Sequence, residues 1–383
     1  MKKKKIVAIT GRRAEYGLAV TIFKAIENHP TLDLEIIVTG MHLAKECGNT
    51  IQEIRKDGFK TSHIVYAYPE KNNKSAMAVV LGKCILGLTQ EINKINPDII
   101  FVLTDLGEAL VGAIVGNYMN IPVAHLHGGD VSGTVDESIR HAITKLSHIH
   151  FAATRKSAER IIKMGEETRR VYIVGAPGLD DIIKRKFSSK EEILKEFNLD
   201  VNQPKLLLVQ HPVTTEAEDA GNQMKQTMEA VMQLKYQTII LYPNLDTGGR
   251  DMISILQSYN KYPFIKIYKN LSRDKYLGLM NTVDVMVGNS SSGIIEAPSF
   301  KLPVVNIGTR QQGRERSCNI IDVGYDKQQI VAGIKKALYD KHFRENLKNS
   351  KNIYGDGHAA ERIVKILNKI KINRNLIQKR ITY

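Results

Sequence analysis

Residues 99–125 read IIFVLTDLGEALVGAIVGNYMNIPVAH. The run Ile99–Leu103 is apolar at every position, which suits a strand covered on both faces. Thr104-Asp105-Leu106 interrupts it, and Gly107–Tyr118 then has helical character. Val123–His125 opens a second strand. Strand, helix and strand with a crossover of this length form a parallel βαβ unit. The alternation extends in both directions. Strands are expected at Ile6–Thr10 and Leu34–Thr39, each leading into a helical stretch, the first of these reaching Glu27. A helix is expected over Asp136–Leu146, with strands at Ile149–Thr154 and Val171–Val174. Gly175-Ala176-Pro177-Gly178 breaks both periodicities. The pattern then restarts, with strands at Lys205–Gln210, Thr238–Tyr242, Phe264–Tyr268, Val283–Val287 and Pro303–Asn306 and a helix at Ala220–Leu234. The expected fold class is α/β, with two doubly wound Rossmann-like domains (1–175 and 176–358) facing each other across a cleft. A long amphipathic helix over Ala359–Lys379, in the final segment 359–383, is expected to pack back on the first domain.

Composition bounds the answer. A chain of 383 residues holds two or three domains at about 150 residues each. With 43% hydrophobic and 25% charged residues, bulk disorder and fibrous repeats are excluded. The longest apolar stretch is interrupted by Asp105 and Glu108, so no membrane span is expected. Four lysines precede only Ile6-Val7-Ala8-Ile9, too short a core for a signal peptide. Cys47, Cys84 and Cys318 are widely spaced and offer neither a disulfide framework nor zinc spacing. A reducing cytoplasm is the expected setting. The formal charge of +15 attracts phosphate. No nucleic-acid partner is expected, because the cations are not interleaved with aromatics and no known module is present.

Ligands of open α/β sheets sit beyond the carboxyl ends of the strands, so the loops there carry the functional argument. After the first strand, Gly11 permits a tight turn. Arg12 and Arg13 then stand at a helix start, either as a site for anionic oxygen or as solvated surface cations. The segment lacks GxGxxG, so it is not a dinucleotide fingerprint. Asp105 follows a strand, where it reads as a catalytic carboxylate or as a helix N-cap. His125–His141 packs three histidines, three carboxylates (Asp130, Asp136, Glu137) and Arg140 into 17 residues. General acid–base chemistry accounts for that density better than a metal does, since His125, His127 and Asp130 define no compact ligand set. No metal or other cofactor is expected. His211, after another strand, reads as a phosphate contact or as a structural histidine.

The strongest local signal is Gly288-Asn289-Ser290-Ser291-Ser292-Gly293-Ile294-Ile295-Glu296-Ala297-Pro298. Small residues let backbone N–H groups approach phosphate, and the serine hydroxyls add donors. A helix dipole behind them is expected to favour the negative charge. Glu296 stands one turn on, placed to accept from ribose hydroxyls. The lysine of GxxxxGK[ST] is missing, so this is not an NTPase P-loop. Arg310, Arg314 and Arg316 add cations. The set describes a nucleoside diphosphate donor.

These segments resemble the UDP-N-acetylglucosamine 2-epimerase family, most closely its hydrolysing branch, which makes N-acetylmannosamine or related sugars for sialic-type nonulosonic acids. GRRAEYG at 11–17, HLHGGDVSGTVDESIRHAITKL at 125–146, HPVTTE at 211–216, GNSSSGIIEAP at 288–298 and GTRQQGR at 308–314 carry the resemblance. It implies the two-domain fold of nucleotide-sugar glycosyltransferases (GT-B), a site in the cleft, and a homo-oligomer, dimer or tetramer. It also implies anti elimination of the nucleoside diphosphate to a 2-acetamidoglucal, then hydration with C2 inverted. In the carry-over, Asp105 and Asp136 match catalytic carboxylates, and His211 matches a histidine that contacts the diphosphate. Arg13, Ser290, Ser291 and Arg310 match diphosphate contacts, and Glu296 matches the ribose contact. His42, Asn244 and Asp246 match cleft-lining residues. Glu137, Arg140 and Arg314, in the same loops, join the substrate-binding set.

Two positions depart from the pattern. His127 stands where members carry Glu, so the base there is an imidazole or the role moves to Asp130. Leu106 stands where members carry Arg, which removes a cation near the sugar or the leaving group. UDP-N-acetylglucosamine is the expected substrate. UDP-N,N'-diacetylbacillosamine and GDP-N-acetylglucosamine are alternatives. A non-hydrolysing epimerase, a glycosyltransferase of the same architecture and a non-catalytic binder are the alternative activities.

Overall fold

The structure, a computed structural model, describes residues 3–44, 48–68, 75–131, 136–244 and 246–383. Cys47, Leu245, the middle of the 125–141 segment and the side chain of Asp136 lie outside the described residues. The chain divides into two compact units. The first contains residues up to 130, 136–180 and 354–383, and the second contains 181–353.

In the first unit seven strands form one sheet: β1 (Lys4–Thr10), β2 (Leu32–Val38), β3 (His63–Ile64), β4 (Ile99–Leu103), β5 (Val123–Leu126), β6 (Ile149–Ala152) and β7 (Val171–Ile173). Their order is β3-β2-β1-β4-β5-β6-β7, and all are parallel. Helix Arg13–Glu27 covers one face with Tyr16, Ala19, Ile22, Phe23 and Ile26, joined there by Ala360, Ile363, Val364 and Leu367. Helices Ala76–Ile95 and Gly107–Tyr118 cover the other face, the former with Val80, Cys84, Leu88 and Ile92 at every fourth position. Burial on both sides is why β4 and β5 are apolar throughout.

The second unit repeats the plan with β8 (Lys205–Val209), β9 (Gln237–Leu241), β10 (Ile265–Tyr268), β11 (Val285–Gly288), β12 (Val304–Ile307) and β13 (Ile320–Val323). The order is β10-β9-β8-β11-β12-β13, again all parallel. Each unit is the doubly wound α/β arrangement expected from the strand pattern. The strand order reverses between β1 and β4 in one sheet and between β8 and β11 in the other. These are the topological switch points beside which such sheets bind ligands.

The terminal helix is shorter than its amphipathic pattern suggests. It spans Ala359–Lys369, and Ile370 is extended. Lys4 Nζ donates to the carbonyls of Leu367 and Ile370, both at 2.7 Å, and so satisfies groups that a longer helix would bond internally. The following tail is held from outside. Arg170 donates to the carbonyls of Leu376 (2.6 Å) and Asn375 (2.7 Å). Lys379 Nζ lies 2.6 Å from the buried carboxylate of Glu166. Two edge strands, β3 and β13, escape the sequence reading because one has two residues and the other is broken by Asp322. Among the described residues no helix is long and apolar enough to cross a membrane.

Candidate active site

The turn after β1 is organised by Glu15. Its carboxylate accepts the N–H groups of Gly11 and of Arg12 (3.2 Å), in a capping box at the start of helix Arg13–Glu27. Burial pushes the Glu15 carboxyl up to about 8, the Gly11 N–H bond draws it down, and the nearby Glu108 charge pushes it up. Arg13 Nε donates to Glu53 at 2.7 Å. His42 is fully buried, with Thr10 Oγ1 3.0 Å from Nε2 and Thr50 Oγ1 2.8 Å from Nδ1. Its imidazole ties the loops after β1 and β2 together.

At the end of β4 the N-cap alternative for Asp105 fails. Leu106 is the N-cap of helix Gly107–Tyr118, and no side chain caps it. The Asp105 carboxylate instead accepts from Arg140 Nη2, out of helix Asp136–Leu146. Arg140 Nη1 donates to the Asp130 carbonyl at 3.0 Å, so one guanidinium bridges the β4 and β5 loops. Two non-glycine residues here have left-handed backbone: Thr104 (φ 54°) and His127 (φ 62°). Such a conformation costs about 1–3 kcal/mol and persists only where surrounding bonds impose it. His127 N–H donates to the Phe151 carbonyl at 3.0 Å. His127 is 4% exposed, its Nδ1 is 3.8 Å from Asp130 Oδ2, and its Nε2 is buried without a partner. Asp130 Oδ1 accepts from Ser157 Oγ at 2.6 Å, which fixes the carboxylate beside the imidazole. Glu137 lies 3.7 Å from His141 on the same helix. Asp136 opens that helix. Among the described residues no three His, Cys, Asp or Glu side chains are grouped to hold a metal ion.

The second unit builds its site with different chemistry. Gly288 ends β11 with φ 121°, and a Cβ there would collide with the Val209 carbonyl oxygen, so β8 and β11 approach closely at that point. Asn289 is the hub of the turn. Its Oδ1 accepts the His211 N–H at 2.7 Å, and its Nδ2 donates to the His211 carbonyl at 2.9 Å. Its own carbonyl accepts from Arg310 Nη1 (3.1 Å) and Gln311 Nε2 (2.9 Å). The His211 ring accepts the Asn244 N–H at Nδ1, at 3.0 Å. Burial, with a smaller push from the Arg310 charge, lowers its pKa to about 3. The imidazole is therefore neutral and carries its proton on Nε2, where it can only donate. Asn244 Nδ2 also bonds Asp246, and Arg314 Nη1 bonds the Gln311 side chain at 3.1 Å.

The helix behind Ser290 and Ser291 spans only Ser292–Ile295, with Ser291 as its N-cap. That corrects the expectation of a helix dipole behind the turn, because one turn aligns few peptide dipoles. Glu296 ends that turn and accepts from Arg273 at 2.9 Å, while Arg273 Nε lies 3.4 Å from Asp181.

The sequence reading passed over Asn289, Thr104 and Arg273. Asn between Gly and Ser reads as an ordinary turn residue. Thr104 carries no signal until its φ is seen, and Arg273 lies outside every motif.

The sequence model of the family described as UDP-N-acetylglucosamine 2-epimerase matches residues 24–368. A UDP-N,N'-diacetylbacillosamine 2-epimerase (hydrolyzing) of Legionella pneumophila is 42% identical over 376 residues, 98% of each chain. A UDP-N-acetylglucosamine 2-epimerase of Neisseria meningitidis is 37% identical over 335 residues, 87% of each chain. Among solved structures, the UDP-GlcNAc 2-epimerase from Neisseria meningitidis bound to UDP-GlcNAc superposes with a TM-score of 0.82 at 19% identity. That match covers 96% of this chain and 100% of the other.

Proposed function

The chain belongs to the UDP-N-acetylglucosamine 2-epimerase family, and from that premise we propose that it is a hydrolysing nucleotide-sugar 2-epimerase. It eliminates the nucleoside diphosphate from C1 and the proton from C2 of a 2-acetamido sugar. It then hydrates the glycal to the C2-inverted free sugar. The observation that carries the reading is a segregation of roles. Loops of the first unit carry carboxylates and an imidazole. Loops of the second carry groups that donate to anions.

Departure of a diphosphate from C1 requires its growing charge to be met. His211 Nε2–H, the Ser290 and Ser291 turn, and Arg310 supply that, with Arg13 and Arg314 as further cations and Glu296 set for the ribose. The C2 hydrogen is weakly acidic, so C1–O cleavage runs ahead of or with its removal. Removal at one face and protonation at the other need two groups. Asp105, His127 with Asp130 behind it, and Asp136 are the set assigned to them. His127 offers the buried, unpartnered Nε2 as the base where members of the family carry Glu.

The favoured sugar is N,N'-diacetylbacillosamine carried on UDP. Leu106 replaces a cation with an apolar surface, which suits a 6-deoxy sugar bearing a second acetamido group. The 42% identical relative bears that name. UDP-N-acetylglucosamine, giving N-acetylmannosamine, is the second reading, supported by the 37% identical relative. Exposed Met77, Val79 and Leu86 on helix Ala76–Ile95 support a homo-oligomer, which light scattering of the purified protein checks.

The deciding assay offers UDP and GDP forms of both sugars in heavy water. The expected products are free nucleoside diphosphate and a reducing sugar inverted at C2 and deuterated there. Product without deuterium at C2 sinks the elimination. A sugar that keeps its UDP identifies a non-hydrolysing epimerase, and transfer to an acceptor identifies a glycosyltransferase.

A further inference from the structure

Thr104 is the one β-branched residue with positive φ among the described residues. Four of the other eight are Asn, which tolerates this region far better. Thr104 immediately precedes Asp105, so its φ and ψ set the direction in which that carboxylate leaves β4. Two bonds define its position. Its N–H donates to the Leu126 carbonyl at 3.0 Å, and its carbonyl accepts from His125 Nε2 at 2.7 Å.

His125 is on β5, fully buried, 21 residues from its partner in the chain. A carbonyl can only accept, so Nε2 bears the proton. Burial lowers the imidazole to about 3, and the Thr104 bond raises it only in part, so the ring is neutral. Thr144 Oγ1 is 3.3 Å from Nδ1 and 3.0 Å from the Arg140 carbonyl, one helical turn before it. Arg140 in turn grips the Asp105 carboxylate. The Thr144 hydroxyl has one proton for these two acceptors, so one set of bonds runs from His125 to the Thr104 carbonyl and a second from Thr144 through Arg140 to the Asp105 side chain. One arm sets the backbone of the 104–105 turn, and the other holds the carboxylate it presents.

We infer that His125 is a positioning residue for the proton-transfer step, clamping Thr104 in its left-handed conformation so that Asp105 points at the reacting sugar. The inference rests on the epimerase reading only for the step Asp105 performs. The geometric clamp stands apart from it.

The test is a set of variants of the full chain. In H125L the donor is gone. Turnover should fall about 100-fold, the loss typical of a displaced catalytic group. KM and UDP affinity should stay within about threefold, since the diphosphate donors are elsewhere. H125Q places an amide nitrogen near the position of Nε2 and should retain most activity. H125N is too short to reach the carbonyl and should behave as H125L, so this pair decides the matter even if H125L fails to fold. T104G adopts positive φ without a clamp. It should recover most of the H125L loss while changing the wild-type rate less than about threefold. Equal impairment of H125Q and H125N, or the same T104G factor in both backgrounds, would make His125 core filling and overturn the inference. The thermal midpoints of the four proteins in the 104/125 cycle separate the two claims. A wild type that releases no nucleoside diphosphate from any sugar nucleotide refutes the epimerase reading. Non-additive midpoints still uphold the clamp in that case, and additive ones refute it.

Discussion

At the switch point of the first sheet stand Asp105 in the loop after β4 and Glu15 and Glu108 in the first turns of the following helices, with His127 and Asp130 from the next strand along. At the switch point of the second the loops carry His211, Asn289 and Ser290, with Arg310 one strand further. Both sheets are parallel, both reverse order beside their first strand, and each leaves a crevice at its own switch point. The chemistry placed there is opposite. Apart from Arg12 and Arg13, the first region gathers acceptors and proton carriers, held by a shared guanidinium and a left-handed backbone. The second gathers donors, held by the side chain and carbonyl of Asn289 and by a glycine that lets two strands meet. Topology therefore fixed which loops stand beside the switch points, and the side chains decided what chemistry those loops carry.

The sharpest way to break this contrast is Asp105→Asn. Turnover is expected to drop at least ~10³-fold, as for removal of a catalytic acid or base. UDP affinity by calorimetry should remain within about threefold. A comparable loss of UDP affinity would mean that the two regions do not divide the work. Gly288→Ala acts on the other side. Its Cβ meets the Val209 carbonyl at φ 121°, so the second unit should lose about 2–4 kcal/mol of stability. Hydrogen exchange should show that loss in residues 181–353 and leave β1–β6 protected. Uniform loss across both units would mean that they unfold together.

His211→Leu is the next step down. One charge-assisted donor to a diphosphate is worth about 1.5–3 kcal/mol, so UDP should bind roughly 10–100-fold more weakly. Unchanged UDP affinity in this variant would return His211 to a structural role. Acid acts by titration rather than by substitution, and unequally on the two units. His42 and His148 are lowered to about 4 and His125 to about 3 in the first unit, all chiefly by burial. In the second unit the histidine lowered in this way is His211, also about 3. Each has a folded pKa below its unfolded value, so its stabilisation is intact above about pH 6.5 and is lost as pH falls toward 3–4. The slope is at most ~1.4 kcal/mol per pH unit for each group. Between pH 6.5 and 4.5 the first unit should therefore lose exchange protection faster than the second. The reverse order would sink this account of the buried histidines.

Some of this was legible in advance. The strand at Ile99–Leu103 and the helices at Asp136–Leu146 and Ala220–Leu234 match the structure residue for residue, because their periodicity is a local property. Helix Ala76–Ile95 was left unassigned, since apolar residues such as Met77, Val79 and Leu86 occur on its exposed side and blur its stripe. The terminal helix was overextended, because amphipathicity continues past the point where Lys4 takes up its last carbonyls and Arg170 holds the tail beyond. Asp105 was singled out by its place after a strand, yet its partner Arg140 is 35 residues away and no spacing rule predicts the pair. The dipole expected behind Ser290 shrank to a single turn.

Most of the strands and helices, the doubly wound class and the family itself followed from residue types at short range, where burial periodicity and turn chemistry act. The clamp on Thr104, the tautomers of His125 and His211, and the bridging of Asp105 to Asp130 by Arg140 were settled only by the packed fold. Each depends on a hydrogen-bond partner far away in the chain, and only burial makes leaving such a group unpaired costly enough to select one arrangement.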